Sequence, residues 1–194
     1  MTTAAGKPSN EVIVGPPPFG VLTVAPAPGS GEPGLYGANT ALTRDENGDP
    51  AVAFAWFDPN GDGNQSDAEV DFVRWSRARH AWMKPVKVAT TGDMPSKNAE
   101  PVSIACDPAD GTLAISMPIA DSGVSMALSR DGGQSWNVVP VERTEGPAAS
   151  TSVALNAGTI YLAANGDNGI RYFTGRASEE PSKWKRESAP KTAG

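Results

Sequence analysis

Six oxygen-bearing side chains within residues 58–69 have the spacing of a calcium loop. They are, in order, Asp58, Asn60, Asp62, Asn64, Ser66 and Glu69. A twelve-residue loop of this kind takes its ligands from positions one, three, five, seven, nine and twelve, with a glycine at position six for the sharp turn. Gly63 occupies that sixth position. We therefore predict a calcium site whose charge balance comes from three carboxylates, those of Asp58, Asp62 and Glu69.

The segments that flank this loop differ from the helices of an EF-hand. Residues 51–57 and 70–75 are rich in Val, Phe and Trp and lack a helical period, so we expect two strands. The loop would then form the tip of a β-hairpin. A structural role for the ion is favoured, because calcium does not activate water as zinc does. The alternative is a polar, Gly-rich hairpin tip that binds no metal.

A second motif, SRDGGQSW, occupies residues 129–136 between two apolar, strand-like runs. Asp131 can accept hydrogen bonds from the backbone amides of its own turn. The glycines that follow it allow unusual backbone angles, and the tryptophan can fold back as an apolar plug. The pattern S-x-D-x-G-x-x-W resembles the Asp-box of the sialidase-like, or BNR-repeat, β-propellers. Its four structural positions here are Ser129, Asp131, Gly133 and Trp136.

The chain also repeats one arrangement of strands three times. In each unit a first strand, a Gly turn and two further strands precede a fourth strand that begins at a tryptophan. The turn glycines are Gly48, Gly111 and Gly158, and the tryptophans are Trp82, Trp136 and Trp184. Four short strands in roughly 45 to 50 residues match one propeller blade. We predict an all-β propeller fold with three four-stranded antiparallel blades, over about 35–92, 98–145 and 148–189. A β-sandwich is the alternative.

Three blades are too few for a closed ring, which typically needs about four to eight. Three blades that do not close into a ring would leave two apolar sheet faces in water. Each Å² of apolar surface left exposed costs about 25 cal/mol. We therefore expect half of a six-bladed ring that a second copy of the chain completes, a companion chain that supplies blades, or a fragment of a longer protein. Residues 1–34 are predicted to be an extension with one or two strands and a Pro/Gly linker, and 190–194 a disordered tail.

Composition narrows the classes of partner. The 194-residue chain has a formal charge of −6, which argues against nucleic acid or an anionic membrane surface as the main partner. No stretch has the length and apolarity of a membrane span. The first residues lack the apolar core of a signal peptide, so a secreted, periplasmic or cell-surface location implies a signal already removed. A cytoplasmic location is the alternative. Cys106 is the only cysteine, and we expect it to be an inert, buried residue.

The resemblance to sialidases does not extend to their catalytic motifs. Active members of that family use three arginines for the substrate carboxylate, a Tyr nucleophile with a Glu partner, an Asp acid/base and a Phe/Tyr-Arg-Ile-Pro motif. The tetrapeptide is absent from this sequence, and no residue is carried over as catalytic. The candidate arginines are Arg44, Arg74, Arg130 and Arg171. The only histidine, His80, is expected at a surface turn.

These observations favour a calcium-stabilised, BNR-like propeller that acts as a binding or scaffold module. Its ligand would be a glycan or a protein, bound at the face opposite the Asp-box turns. Trp75 is the best candidate for an exposed aromatic contact, with Arg74 beside it. Two alternatives remain open at this point. One is a glycoside hydrolase completed by a partner chain or by missing blades, and the other is a structural part of a larger extracellular complex.

Overall fold

The computed structural model describes residues 35–57, 69–90, 102–119, 123–142, 148–166 and 169–188. In these residues the chain forms thirteen strands and one short 3₁₀ helix, Pro181–Lys183, and no α-helix. The strands are β1 (Leu35–Arg44), β2 (Pro50–Phe57), β3 (Glu69–Ser76), β4 (Ala81–Trp82), β5 (Val86–Thr90), β6 (Ser103–Cys106), β7 (Leu113–Ile119), β8 (Gly123–Ser129), β9 (Asn137–Glu142), β10 (Ala148–Asn156), β11 (Thr159–Gly166), β12 (Gly169–Arg176) and β13 (Lys185–Ser188). The all-β class is confirmed.

The strands form three antiparallel sheets in which neighbours along the chain are neighbours in space. Sheet II runs β6-β7-β8-β9 and sheet III runs β10-β11-β12-β13. Sheet I runs β1-β2-β3, and both β4 and β5 pair with β3, so its fourth strand is interrupted. Pro85 lies in that interruption, and Pro140 lies within β9, the outer strand of sheet II. Each sheet thus has the strand order predicted for a blade.

The three sheets radiate from their first strands. β1 contacts β6, and β6 contacts β10. Two side-chain hydrogen bonds cross from sheet II to sheet III near these strands. The Val153 amide donates to Ser103 Oγ at 3.1 Å, and Ser116 Oγ donates to Thr151 Oγ1 at 2.9 Å. This arrangement fits a propeller fragment with the first strands innermost, although the described residues do not form a closed ring.

Two separate cores, rather than the single interior of a sandwich, lie on the two faces of sheet II. The core between sheets I and II packs small residues of β2, such as Ala53, against large ones of β7, such as Ile115 and Met117. The core between sheets II and III contains Met126 and Leu162. Side chains alternate between the faces of a strand, so a sheet buried on both faces reads as a nearly continuous apolar run. Strands β7 and β8 of sheet II have such nearly continuous apolar runs.

The faces of sheets I and III that point away from sheet II carry exposed apolar side chains. Leu42 on β1 is 69% exposed, Tyr161 on β11 is 40% exposed and Ile170 on β12 is 53% exposed. Their strand neighbours Ala41, Ile160 and Arg171 face sheet II, which places these three side chains on the outer faces. The described residues of sheet II include no exposed large hydrophobic side chain. The two end sheets therefore look like blades that lack a neighbour.

The set of three sheets has two different ends. We call one the turn end, where β1–β2 and β3–β4 of sheet I connect and where the corresponding turns of sheets II and III lie. The other is the far end, where β2, β7 and β11 finish and β3, β8 and β12 start. Among the described residues no helix has the length and apolarity needed to cross a membrane.

Candidate functional site

The turn of residues 129–136, here called the Asp131 turn, joins β8 to β9 at the turn end. The Asp131 carboxylate accepts hydrogen bonds from Gln134 N and Ser135 N through Oδ1, both at 2.9 Å. Its Oδ1 also accepts from Ser129 Oγ at 2.8 Å, and its Oδ2 accepts from Ser135 Oγ at 2.5 Å. Ser129 Oγ in turn accepts from the Gly133 amide at 2.9 Å. One carboxylate therefore organises the whole turn.

These hydrogen bonds change the acidity of Asp131. The hydroxyl and the amide of Ser135 hold the pKa of its carboxyl well below the usual range, with smaller contributions from Ser129 and Gln134. Asp107, in the β6–β7 turn, has the same property for a similar reason. Its lowered pKa comes first from the Gly158 amide, which donates to Oδ2 at 2.6 Å, and then from the Ala109 amide.

The Asp131 turn also packs against both neighbouring sheets. Trp136 meets Phe72 of sheet I edge-to-face, with ring centroids 5.1 Å apart, and its indole N–H donates to the Gly133 carbonyl at 3.2 Å. Gly133 has a φ of +84°, and a Cβ added there would lie 2.1 Å from the Phe72 ring. On the other side, Arg130 Nη2 donates to the Ala177 carbonyl of sheet III at 2.8 Å. The turn therefore ties three sheets together.

The corresponding turn of sheet I, residues 76–82, is here called the Arg77 turn and is built differently. Ala78 stands where the aspartate stands in sheet II, and His80 has a φ of +49° and is exposed. Trp82 contacts Trp75 edge-to-face, with ring centroids 5.8 Å apart. Trp75 is only 8% exposed. The expectation of an exposed aromatic at Trp75 was therefore wrong, because Trp82 and the sheet cover it.

The position of Trp75 and Arg74 also differs from the expected ligand face. Both lie near the end of β3 that leads into the Arg77 turn, and thus at the turn end. The predicted ligand face is at the opposite end, the far end. Trp75 and Arg74 therefore cannot contact a ligand that is bound at the far end.

Five of the six predicted calcium ligands, Asp58, Asn60, Asp62, Asn64 and Ser66, lie outside the described residues. Glu69, the sixth, begins β3, and its Oε1 accepts a hydrogen bond from Lys87 Nζ of β5 at 2.5 Å. In the part of the chain that the structure describes, no group of three or more His, Cys, Asp or Glu residues is arranged to hold a metal. The calcium site stays a prediction.

The structure also contains a cluster of ion pairs that no sequence motif predicts. At the end of β9, Glu142 pairs with Arg171 Nη1 of β12 at 3.2 Å and with Arg186 Nη1 of β13 at 3.0 Å. The Glu142 and Arg171 side chains are 5% and 2% exposed. This buried cluster joins sheets II and III near the far end. Glutamate and arginine come from different sheets, so no sequence spacing relates them.

Cys106 shows no sign of reactivity. It is half-buried, and burial raises the pKa of its thiol to about 11, with further contributions from Glu46, Asp45 and other nearby carboxylates. A thiol with so high a pKa is almost wholly protonated near neutral pH and is a poor nucleophile. The raised pKa agrees with the expectation of an inert cysteine, but the expected full burial is not observed.

The comparisons with known proteins bear on the fold. No protein-family model and no curated protein matches the chain. Among solved structures, the Hadza microbial sialidase Hz136 is similar with a TM-score of 0.60 and 17% identity over 84% of this chain and 36% of that chain. A protein of unknown function from Dyadobacter fermentans DSM 18053 is similar with a TM-score of 0.54 and 15% identity, over 79% of this chain and 42% of that chain.

The chain thus spans about two fifths of the length of these two structures. Identities this low show the shared fold and nothing about activity. The sialidase-like, propeller-type fold is supported by this likeness. The BNR-repeat assignment stays a prediction.

Replacing Gly133 by Ala should destabilise the protein more than replacing Gly48 by Ala. Both glycines have positive φ, so both variants incur backbone strain of roughly 1–2 kcal/mol. A Cβ at Gly48 meets nothing within 4 Å, whereas one at Gly133 overlaps Phe72. Overpacking should add about 1–3 kcal/mol to the loss at Gly133. Urea denaturation of both variants measures the difference, and equal losses would contradict the tight contact.

Acid should destabilise the wild-type protein partly through Asp131. Because its pKa is lower in the folded than in the unfolded chain, its contribution is complete above the unfolded value of about 3.9. That contribution disappears as the pH falls toward the folded pKa. The Asp131→Asn variant should be less stable at pH 7 and should lose less stability on acidification. Thermal melts between neutral and acidic pH measure how the melting temperature of each protein changes with pH. The same change in the wild type and the variant would contradict this role.

Proposed function

We propose that this chain is a three-bladed segment of a BNR-like β-propeller that serves as a binding or scaffold module for a glycan or protein ligand. The observation that carries this proposal is the distribution of exposed apolar side chains. Leu42, Tyr161 and Ile170 lie on the outer faces of the two end sheets, and their exposed fractions are 40% or more. Outer faces of this kind are expected where a further blade packs.

A second copy of the chain is the simplest source of those blades. In a two-fold arrangement, sheet III of each copy would pack on sheet I of the other, and both outer faces would be covered at once. A companion chain, or further blades in a longer protein, would cover the same faces. The ligand would then meet the far end of the ring, where the strand ends of all three sheets converge.

The solution mass tests this assembly. We expect a species of about twice the 20.0 kDa chain mass in sedimentation experiments at micromolar concentration. Ile170→Lys should shift the equilibrium toward monomer, because it places a charge on the outer face of sheet III. Ser178→Lys adds the same charge at an exposed position near the turn end and should leave the mass unchanged. A monomer at all concentrations would contradict closure by a second copy.

We further propose that calcium stabilises the segment through residues 58–69. The support is the ligand spacing, the glycine at position six and the position of Glu69 at the start of β3. A modest affinity, in the range of extracellular calcium modules, would suit a secreted, periplasmic or cell-surface protein. Such an ion would fix the hairpin of β2 and β3 at the far end, beside the proposed ligand face.

Calorimetric titration of the metal-stripped protein tests the calcium site. We expect saturable binding at millimolar calcium or below, and a higher melting temperature in its presence. Asp62→Asn should weaken binding strongly, because it removes one of three charged ligands. Asp110→Asn, in the β6–β7 turn of sheet II, is the matched control and should bind as the wild type does. Lack of binding by the wild-type protein would rule out the site.

The alternative function is a glycoside hydrolase whose active site is completed by other blades. It is favoured by the likeness in fold to the Hz136 sialidase. Hydrolysis of fluorogenic sialosides by the assembled protein would support this alternative. A binding module would bind glycans in the same preparation and release no fluorophore.

A further inference from the structure

A cavity of ≈640 Å³ opens at the turn end of sheet I. It lies between the β1–β2 turn and the Arg77 turn, and three arginines line it: Arg74, Arg77 and Arg79. The arginines outnumber the aspartates of the lining, Asp45 and Asp49, whereas the protein as a whole carries a formal charge of −6. Neither the predicted calcium loop nor the proposed blade contacts use these residues.

The acidic residues at this cavity are already engaged. Asp49 Oδ1 accepts hydrogen bonds from Arg77 Nε at 3.1 Å and from Arg77 Nη2 at 2.7 Å. Asp45 Oδ1 accepts from the amides of Asn47 and Asp49 at 2.9 and 2.8 Å. Asp45 and Asp49 are only 6% and 5% exposed, whereas the Arg77 side chain is 50% exposed. The carboxylates therefore lie inside the turn, whereas the Arg77 side chain reaches the solvent.

Arg74 and Arg79 complete the positive lining. Within the described part of the chain, neither guanidinium group has a hydrogen bond or an ion pair. Arg74 lies against the Asp131 turn, since a Cβ added at Gly132 would come within 2.6 Å of its Nη1. The Arg74 side chain therefore lines both this cavity and the adjoining ≈230 Å³ cleft between sheet I and the Asp131 turn. Each group offers a planar fork of donors that matches an oxyanion.

The other turns of the chain provide an internal contrast. In sheet II the Asp131 carboxylate supplies an anion within the turn itself, whereas sheet I has Ala78 at the equivalent position. The cleft between sheets II and III, of ≈420 Å³, is lined by Glu179, Glu180 and Arg130. That arginine donates to the Ala177 carbonyl. Only the turn of sheet I therefore combines a missing internal carboxylate with two unengaged arginines among the described residues.

We propose that this cavity binds an oxyanion, namely the sulfate, phosphate or carboxylate group of a small ligand, through Arg74 and Arg79. Arg77 stays paired with Asp49 and forms the rim. Charge-assisted hydrogen bonds from guanidinium to an oxyanion are among the stronger polar contacts in proteins. The site lies at the opposite end of sheet I from the predicted calcium loop, and it needs neither calcium nor ring closure.

Calorimetric titration with sodium sulfate, sodium phosphate and sodium acetate, at constant ionic strength set by sodium chloride, tests the proposal. We expect saturable binding of at least one of these anions by the wild-type protein. The double variant Arg74→Gln/Arg79→Gln should weaken it by about tenfold or more, as expected when hydrogen bonds to charged groups are lost. Lys183→Gln removes a positive charge from an exposed site on sheet III and should leave the affinity unchanged.

A second variant keeps the test decisive if the double variant is unstable. Ala78→Asp would place a carboxylate where Asp131 stands in sheet II, so it should weaken anion binding through charge repulsion. Circular dichroism would verify that each variant is folded. The preferred anion separates the three chemical classes of ligand. Absence of binding to all three anions, or binding that survives both Ala78→Asp and the arginine substitutions, would overturn the proposal.

Discussion

The burial of the middle sheet on both faces is the constraint on which the rest of the structure depends. Along β7, Leu113 and Ile115 face sheet I while Ala114 faces sheet III, so this strand needs a neighbour on each side. The radial order of the sheets follows from that need. It also follows that sheets I and III each bury one face on sheet II and present the other outward.

Specific contacts between the sheets supplement these apolar cores. At the turn end, Asp107 accepts from the Gly158 amide of sheet III, and Gly133 packs on Phe72 of sheet I. Near the far end, Glu142 joins sheets II and III through two arginines. Replacing one member of such a buried cluster leaves an uncompensated charge, which costs more than the pair contributes. Sheets II and III are therefore joined at both ends, and sheets I and II are joined at the turn end.

Sequence reasoning identified the parts of this fold that have local signals. The turn glycines, the apolar runs and the tryptophans before β9 and β13 all mark strand boundaries, because turn geometry and strand alternation depend on nearby residues. It missed the interruption between β4 and β5, and it placed Trp75 on the surface. Burial of Trp75 depends on Trp82 across the sheet, and the Glu142 cluster depends on two sheets. Neither has a signature in spacing alone.

The prolines at the outer strands have a consequence for how chains of this kind can stack. Pro85 interrupts the rim of sheet I, and Pro140 removes an amide donor from the rim of sheet II. A free rim with regular donors would invite lateral addition of foreign strands and fibril growth. Here the ladder of donors is broken at two rims, which disfavours strand addition there and leaves the outer faces of sheets I and III as the surfaces for the proposed finite assembly.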